Sequence, residues 1–191
     1  MTLDRLQHTI RLHFIRGAQG RADYIKKHNL WHHVGENCSI QSRSIPLYSQ
    51  LISIHDNVHL ASGVSFIPHD IVHRVINGDK SINASIGEYI GCIEIMDNVF
   101  VGAGTRIMYN VRIGSNCIIG AGSIVTKDLA PGGVYAGAPA KFICSYDEFV
   151  EKRIAKDKEL KQLVGDNSHF DQKLSVNVVD IMWTEFMESR A

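Results

Sequence analysis

The sequence predicts an all-β solenoid of hexapeptide repeats with helical segments at both ends. Three observations carry this. Stepping by six from Ile95 meets Val101, Ile107, Ile113, Ile119 and Val125, every one a β-branched aliphatic. A glycine or other small residue follows most beats, as in Val101-Gly102-Ala103-Gly104 and Ile119-Gly120-Ala121-Gly122. A period of six fits neither the ~3.6 of a helix nor the 2 of a lone strand. It fits one short strand plus one corner, repeated, with one aliphatic per face pointing into a narrow shared core.

Each segment follows in order. Residues 1–33 read as an N-terminal helical segment. Leu3, Leu6, Ile10 and Phe14 stand at helical spacing, and Arg21 to Asn29 reads as a second short helix. The pair is expected to cap the open end of the solenoid, where a terminal coil leaves a bare apolar face and unpaired strand edges. The solenoid spans 34–144. It starts near Val34 and Ile40, slips by two at Ser44-Ile45-Pro46-Leu47-Tyr48, and returns at Ile54, Leu60 and Phe66. A stretch without rhythm, about 69–91, is expected to leave the coil as an external loop, the usual seat of function on a rigid scaffold. The beat then runs from Ile93 to Val125. Residues 145–191 read as a helical extension. It opens on the capping box Ser145-Tyr146-Asp147-Glu148, with Phe149, Ile154 and Leu160 to Val164 as an apolar stripe. A last helix from Asn177 to Arg190 would pack through Ile181, Met182, Trp183, Phe186 and Met187.

Composition narrows the function classes. Of 191 residues, 45% are hydrophobic, which is ordinary for a globular chain, and the formal net charge is zero. No basic footprint for nucleic acid or an acidic membrane is present. No apolar run is long enough to span a bilayer. Cys38, Cys92, Cys117 and Cys144 show no CxxC spacing and no secretory signal precedes them, so the expected setting is a reducing cytoplasm with buried or inert thiols.

Four stretches then resemble one family. They are Ile95-Met-Asp-Asn-Val-Phe-Val-Gly-Ala-Gly104, Val111-Arg-Ile-Gly-Ser-Asn116, Ile119-Gly-Ala-Gly-Ser-Ile-Val-Thr-Lys-Asp128 and Ala136-Gly-Ala-Pro-Ala-Lys141. In this order the chain, from about 50 to 145, resembles the hexapeptide-repeat acyltransferases, in the branch of maltose, galactoside and polysaccharide O-acetyltransferases. The resemblance implies a left-handed parallel β-helix and a homotrimer with active sites between subunits. It also implies acetyl-CoA as acyl donor and transfer to a hydroxyl of a sugar or saccharide, with no metal. An essential histidine stands on the coil that feeds the protruding loop, which is His69 here. An imidazole there can take the proton of an attacking hydroxyl. Ala103 matches the position whose backbone N–H faces the oxyanion. Ala121, Thr126, Lys127 and Lys141 match the other coenzyme-contacting positions, the two lysines suited to phosphates. A family arginine three residues past Lys141 is Cys144 here, and the family's acceptor-binding asparagine falls on Ser39 by count.

Plainer readings stand beside these. Asp70 either orients His69 or only turns the chain. Tyr109-Asn110 either meets substrate or turns a corner. His55, His59 and His73 lie on strands and corners, where an H-x3-H spacing does not converge on a metal. The remaining histidines, His169 among them, read as surface or packing residues, and Trp31 and Trp183 as packing anchors. Alternative acceptors are serine or an amino-sugar nitrogen. Alternatives from other classes are a γ-carbonic anhydrase-like metal protein, disfavoured because Ile95 to Val134 contains no histidine, and a non-catalytic solenoid.

Overall fold

The computed structural model describes residues 3–166 and 174–190. The expectation for His169 lies outside them. The chain divides into two compact units, 1–146 and 147–191. Unit one opens with α1 (Leu3–Phe14) and α2 (Ala18–Lys27). Strands β1 (His33–Val34) and β2 (Ser39–Ile40) follow. After a 3-10 turn at Ser49–Leu51 come β3 (Ile52–Ile54), β4 (Val58–Leu60) and β5 (Ser65–Ile67). The expected loop is framed by β6 (His69–Asp70) and β7 (Tyr89–Ile90) and holds α3 (His73–Gly78). The rhythm then continues through β8 (Ile93–Ile95), β9 (Val99–Val101), β10 (Arg106–Met108) and β11 (Val111–Ile113). It ends with β12 (Cys117–Ile119) and β13 (Ile124–Val125), before the antiparallel pair β14 (Gly133–Ala136) and β15 (Lys141–Ser145).

Successive strands go to three different sheets in turn. The orders are β1-β3-β8-β11, then β15-β14-β12-β9-β4-β2, then β13-β10-β5. Val111 pairs with Ile93, Cys117 with Val99 and Ile124 with Arg106, each in parallel and each one 18-residue circuit apart. The six-residue beat explains this register, because three beats make one circuit. Ile95, Val101, Ile107, Ile113, Ile119 and Val125 are all 0% exposed. Each full aliphatic burial contributes ~1.5–3 kcal/mol, so a one-residue slip would turn a whole row outward. Thr105 and Ser123 are buried too, and both hydroxyls donate to the Gly120 carbonyl.

The three corners of each circuit differ in chemistry. At the first, Asn37, Asn57, Asn98 and Asn116 take the left-handed conformation, with φ of 52, 57, 58 and 56°. Asparagine tolerates that region better than other non-glycine residues. Their amides form a ladder: Asn37 Nδ2 donates to Asn57 Oδ1 at 2.7 Å, Asn57 to Asn98 at 2.9 Å, and Asn98 to Asn116 at 3.1 Å. At the second corner small residues let circuits stack. A Cβ on Gly102 would stand 2.4 Å from the Ala121 nitrogen. The third corner is irregular at every level.

The helices depart from expectation in what they bury. In α1 the inward residue is Leu12, at 0%, whereas Leu3, Leu6, Ile10 and Phe14 are exposed, Phe14 by 81%. Polar ties set the rotation of α1: Arg5 Nε donates to the Ile45 carbonyl, and His8 Nδ1 lies 2.7 Å from the Tyr24 hydroxyl. Ala22 and Ile25 of α2 join the coil core together with Leu12. In unit two, α4 (Tyr146–Val164) and α5 (Val176–Glu188) bury no residue. The packing stripe expected on α5 is therefore open, with Trp183 61% exposed. Ser175 caps α5 by accepting from the Val178 N–H. Among the described residues no helix is long and apolar enough to cross a membrane. Cys38 and Cys117 are buried and desolvation pushes both thiols up, whereas Cys92 is exposed.

Candidate active site at the irregular corner

The third corner begins in the first circuit with the slip at Pro46. There Tyr48 holds φ 53°, a left-handed conformation that costs an aromatic residue ~1–3 kcal/mol. One circuit on, the chain leaves the coil at Pro68 and returns at Gly91, whose N–H donates to the Pro68 carbonyl at 2.9 Å. Strands β6 and β7 pair antiparallel above that junction, His69 facing Ile90 and Asp70 facing Tyr89. The loop thus has a built base, and His69 is its first residue.

Two side chains flank the His69 ring. Tyr48 packs edge-on, with ring centroids 5.3 Å apart and planes at 82°. Glu88 Oε1 stands 3.8 Å from His69 Nε2, and its other oxygen accepts from the Tyr48 hydroxyl at 2.9 Å. That hydrogen bond holds the Tyr48 phenol above its usual pKa, since losing the proton would set two negative charges together. His69 Nδ1 is buried without a hydrogen-bond partner among the described residues. A cavity of about 310 Å³ lies beside the ring, lined among others by Arg5, Trp31, Ser42, Ser44 and Phe66. That is the lower end of the ~300–1,000 Å³ range of ligand pockets, room for one small ring.

Asp70 turns away from the histidine. Its Oδ2 accepts from the Tyr109 hydroxyl at 2.9 Å, and its Oδ1 accepts from the Val72 N–H at 3.0 Å. The carboxylate that faces His69 is Glu88, from the far end of the loop. Tyr109 and Asn110 tie loop to coil, Asn110 Nδ2 donating to the Tyr89 hydroxyl at 2.8 Å.

The other expected residues fall into two groups. Ala103 and Ala121 stack at the glycine corner, where the Gly122 N–H donates to the Ala103 carbonyl at 2.8 Å. Lys141 opens β15 opposite Ala136, at that same end. Thr126 and Lys127 follow β13 directly. Because β13 pairs with β10 and β10 with β5, they share the irregular corner with His69. Ala103 precedes β10 and His69 follows β5, so the two lie at opposite ends of one sheet. Even three strand residues span roughly 10 Å, so one chain does not bring them together. All five of these residues are exposed. Tyr48 and Glu88 were not legible as site residues. The slip at Pro46 was a signal for the first, and nothing local marks the second.

Comparison with known proteins agrees with this architecture. Residues 93–127 match the bacterial transferase hexapeptide family (six repeats). The galactoside O-acetyltransferase of Escherichia coli (strain K12) is 33% identical over 135 residues, 69% of this chain and 63% of that protein. The serine acetyltransferase of Buchnera aphidicola subsp. Schizaphis graminum (strain Sg) is 28% identical over 76% of this chain and 60% of that protein. The chain thus spans under two thirds of the length of these two relatives. Among solved structures, a galactoside acetyltransferase in complex with coenzyme A aligns over 92% of both chains at 25% identity and a TM-score of 0.51. A maltose O-acetyltransferase from Clostridium difficile 630 aligns over 75% of this chain and 87% of that one, at 25% identity and a TM-score of 0.50. By its repeats and by these matches, the chain is similar to the hexapeptide-repeat acyltransferases, and residues 93–127 carry that family's repeat.

Proposed function

We propose that this chain transfers an acetyl group from acetyl-CoA to a hydroxyl of a sugar-sized acceptor, with His69 as general base. The observation that carries the reading is the His69 ring itself. One edge faces a carboxylate, the other nitrogen is buried without a partner among the described residues, and a sugar-sized cavity opens beside the ring. The likeness to a galactoside acetyltransferase solved with coenzyme A supports the donor.

The chemistry follows from these groups. The acceptor hydroxyl meets the His69 imidazole and gives up its proton as its oxygen bonds to the thioester carbon. The imidazolium that forms is steadied by Glu88, which Tyr48 holds in place. The tetrahedral oxyanion needs a fixed donor, the role given to the Ala103 N–H. Collapse breaks the carbon–sulfur bond, and the imidazolium returns its proton to the leaving thiolate. Thr126, Lys127, Ala121 and Lys141 hold the coenzyme, the small alanines letting its arm lie against the backbone and the lysines meeting its phosphates.

A coil wound left-handed and a closed trimer complete the proposal. The separation of Ala103 from His69 supports the trimer, since a neighbouring copy can bring its glycine corner to this histidine. The match to a serine acetyltransferase keeps an amino-acid hydroxyl as the second acceptor class. Equilibrium binding of coenzyme A, with acetyl transfer across sugars and serine, tests the reading. A protein that neither binds coenzyme A nor consumes acetyl-CoA with any acceptor is not this enzyme. Light scattering that finds a monomer removes the shared site.

A further inference from the structure

The wall of the His69 cavity that faces the N-terminal helices carries positive charge and hydrogen-bond donors. Arg5 lines it, and its Nε is anchored on the Ile45 carbonyl at 2.7 Å, which holds the guanidinium in position. Arg21, on the neighbouring helix α2, is 2% exposed. Its nitrogens donate to the Ile40 carbonyl at 2.8 Å, the Ile15 carbonyl at 3.1 Å and Gln41 Oε1 at 2.9 Å. All three acceptors are uncharged, so the hydrogen bonds are met while the charge is not neutralised. Burial, and next the nearby charge of Arg43, lower the pKa of Arg21. Of these arginines it is Arg5 that lines the cavity, and a guanidinium there favours an arriving anion, more so at low local dielectric.

A second observation points the same way. Trp31 lines the cavity and is 4% exposed, yet its indole N–H is buried without an acceptor among the described residues. Leaving a buried donor unmet costs ~1–3 kcal/mol, which a ligand oxygen would recover. The Ser42 and Ser44 hydroxyls line the same space and touch each other only at 3.4 Å, so both can turn to a better acceptor. Glu88, the carboxylate that faces the His69 ring, is held by the Tyr48 hydroxyl.

We propose that the acceptor is an anionic sugar, a single ring bearing a carboxylate or phosphate. Arg5, the Trp31 N–H and the two serines hold the anion while the hydroxyl to be acetylated meets His69. This rests on the acetyltransferase reading and sharpens its acceptor class. The volume of about 310 Å³ suits one ring with one such group and little more.

The test reads binding apart from turnover. The chain has two tryptophans, so a Trp183→Phe protein reports on Trp31 alone. Its fluorescence is titrated with glucuronate, glucose 6-phosphate and glucose. At least one anionic sugar is expected to give a saturable change at a tenfold or more lower concentration than glucose. Which of the two binds tighter tells carboxylate from phosphate. Arg5→Gln should weaken that binding at least tenfold, Arg5→Lys less, and neither should change the Kd for acetyl-CoA. Loss of acetyl-CoA affinity in Arg5→Gln would instead assign the anion to the coenzyme and overturn the proposal. It is equally overturned if glucose binds as well as both anions, if neither anion binds, or if Arg5→Gln has no effect. Anionic-sugar binding without any acetyl transfer would sink the enzymatic reading and the acceptor role with it, leaving an anionic-sugar site. Acetyl transfer confined to neutral sugars would sink this inference alone.

Discussion

Two corners of the same coil teach opposite lessons. The asparagine corner is built the same way four times, by Asn37, Asn57, Asn98 and Asn116, each left-handed and each bonded to the next. The third corner is never built the same way twice. It holds a register slip at Tyr48, a loop from His69, the Tyr109-Asn110 turn and Thr126-Lys127. Repetition lets every circuit hold its neighbour through the same amide bond. Among the described residues the irregular corner leaves an imidazole nitrogen unpartnered, with a cavity beside the ring. Change at one corner should therefore damage the fold, and change at the other the chemistry.

The largest effect is expected at His69. His69→Ala should lower kcat by ~10²–10⁴, about 3–5 kcal/mol of barrier, with coenzyme A affinity kept. Near-normal turnover on a verified acceptor would falsify the base assignment. Next comes Asn98→Ala at the regular corner. It removes two ladder hydrogen bonds and puts alanine at a φ of 58°, which should cost roughly 2–3 kcal/mol in denaturant unfolding. Turnover per folded molecule should hold, and Asn98→Gly should recover the backbone part. If instead kcat drops while the unfolding midpoint stays put, the division between the corners is wrong.

Glu88→Gln keeps the shape beside His69 and removes the charge. We expect kcat to fall about tenfold, or ~1.4 kcal/mol, with the KM for acetyl-CoA unchanged and Glu88→Asp partly restored. A KM effect without a kcat effect would move Glu88 from positioning the histidine to binding. Lys127→Ala and Lys141→Ala should each raise the KM for acetyl-CoA about two- to fivefold, the ~0.5–1 kcal/mol of an exposed charge contact, at constant kcat. A selective kcat loss in either would contradict a binding role.

The smallest effect lies on the flat face between the two corners. Glu94 accepts from His55 Nε2 at 2.9 Å and Arg112 Nε at 2.7 Å, and these bonds, that from His55 first, hold its carboxyl below the usual range. A lowered folded pKa means the stabilisation is full above the unfolded value. It is lost as pH falls through the folded one. The side chain is 29% exposed, so after screening the contribution is under about 1 kcal/mol. Glu94→Gln should thus lower the unfolding midpoint slightly at pH 7, and the gap to the parent should close as pH falls below the usual carboxylate range. A gap that widens in acid would reverse the assignment.

The core of the coil was legible in the sequence, because a β-branched residue every sixth position is a local pattern that each circuit restates. The place of the loop was legible for the same reason, as the stretch where the pattern stops, and His69 as its first residue. The rotation of α1 was not. The apolar spacing of Leu3, Leu6, Ile10 and Phe14 named one face, and polar ties from Arg5 and His8 turned another inward. Nor were the open faces of α4 and α5, since an apolar stripe states what a helix could bury and not whether a partner stands there.

By itself the sequence determined the six-residue period, the residues that fill the core and the histidine where the rhythm breaks. Only the tertiary structure decided what surrounds that histidine. Tyr48 and Glu88 meet across 40 residues of chain, and Arg5 reaches Ile45 across the same span. No period relates such residues, so no pattern in the sequence announces them. Their meeting depends on where the coil returns after its slip and its loop, and on how the first helix settles against it.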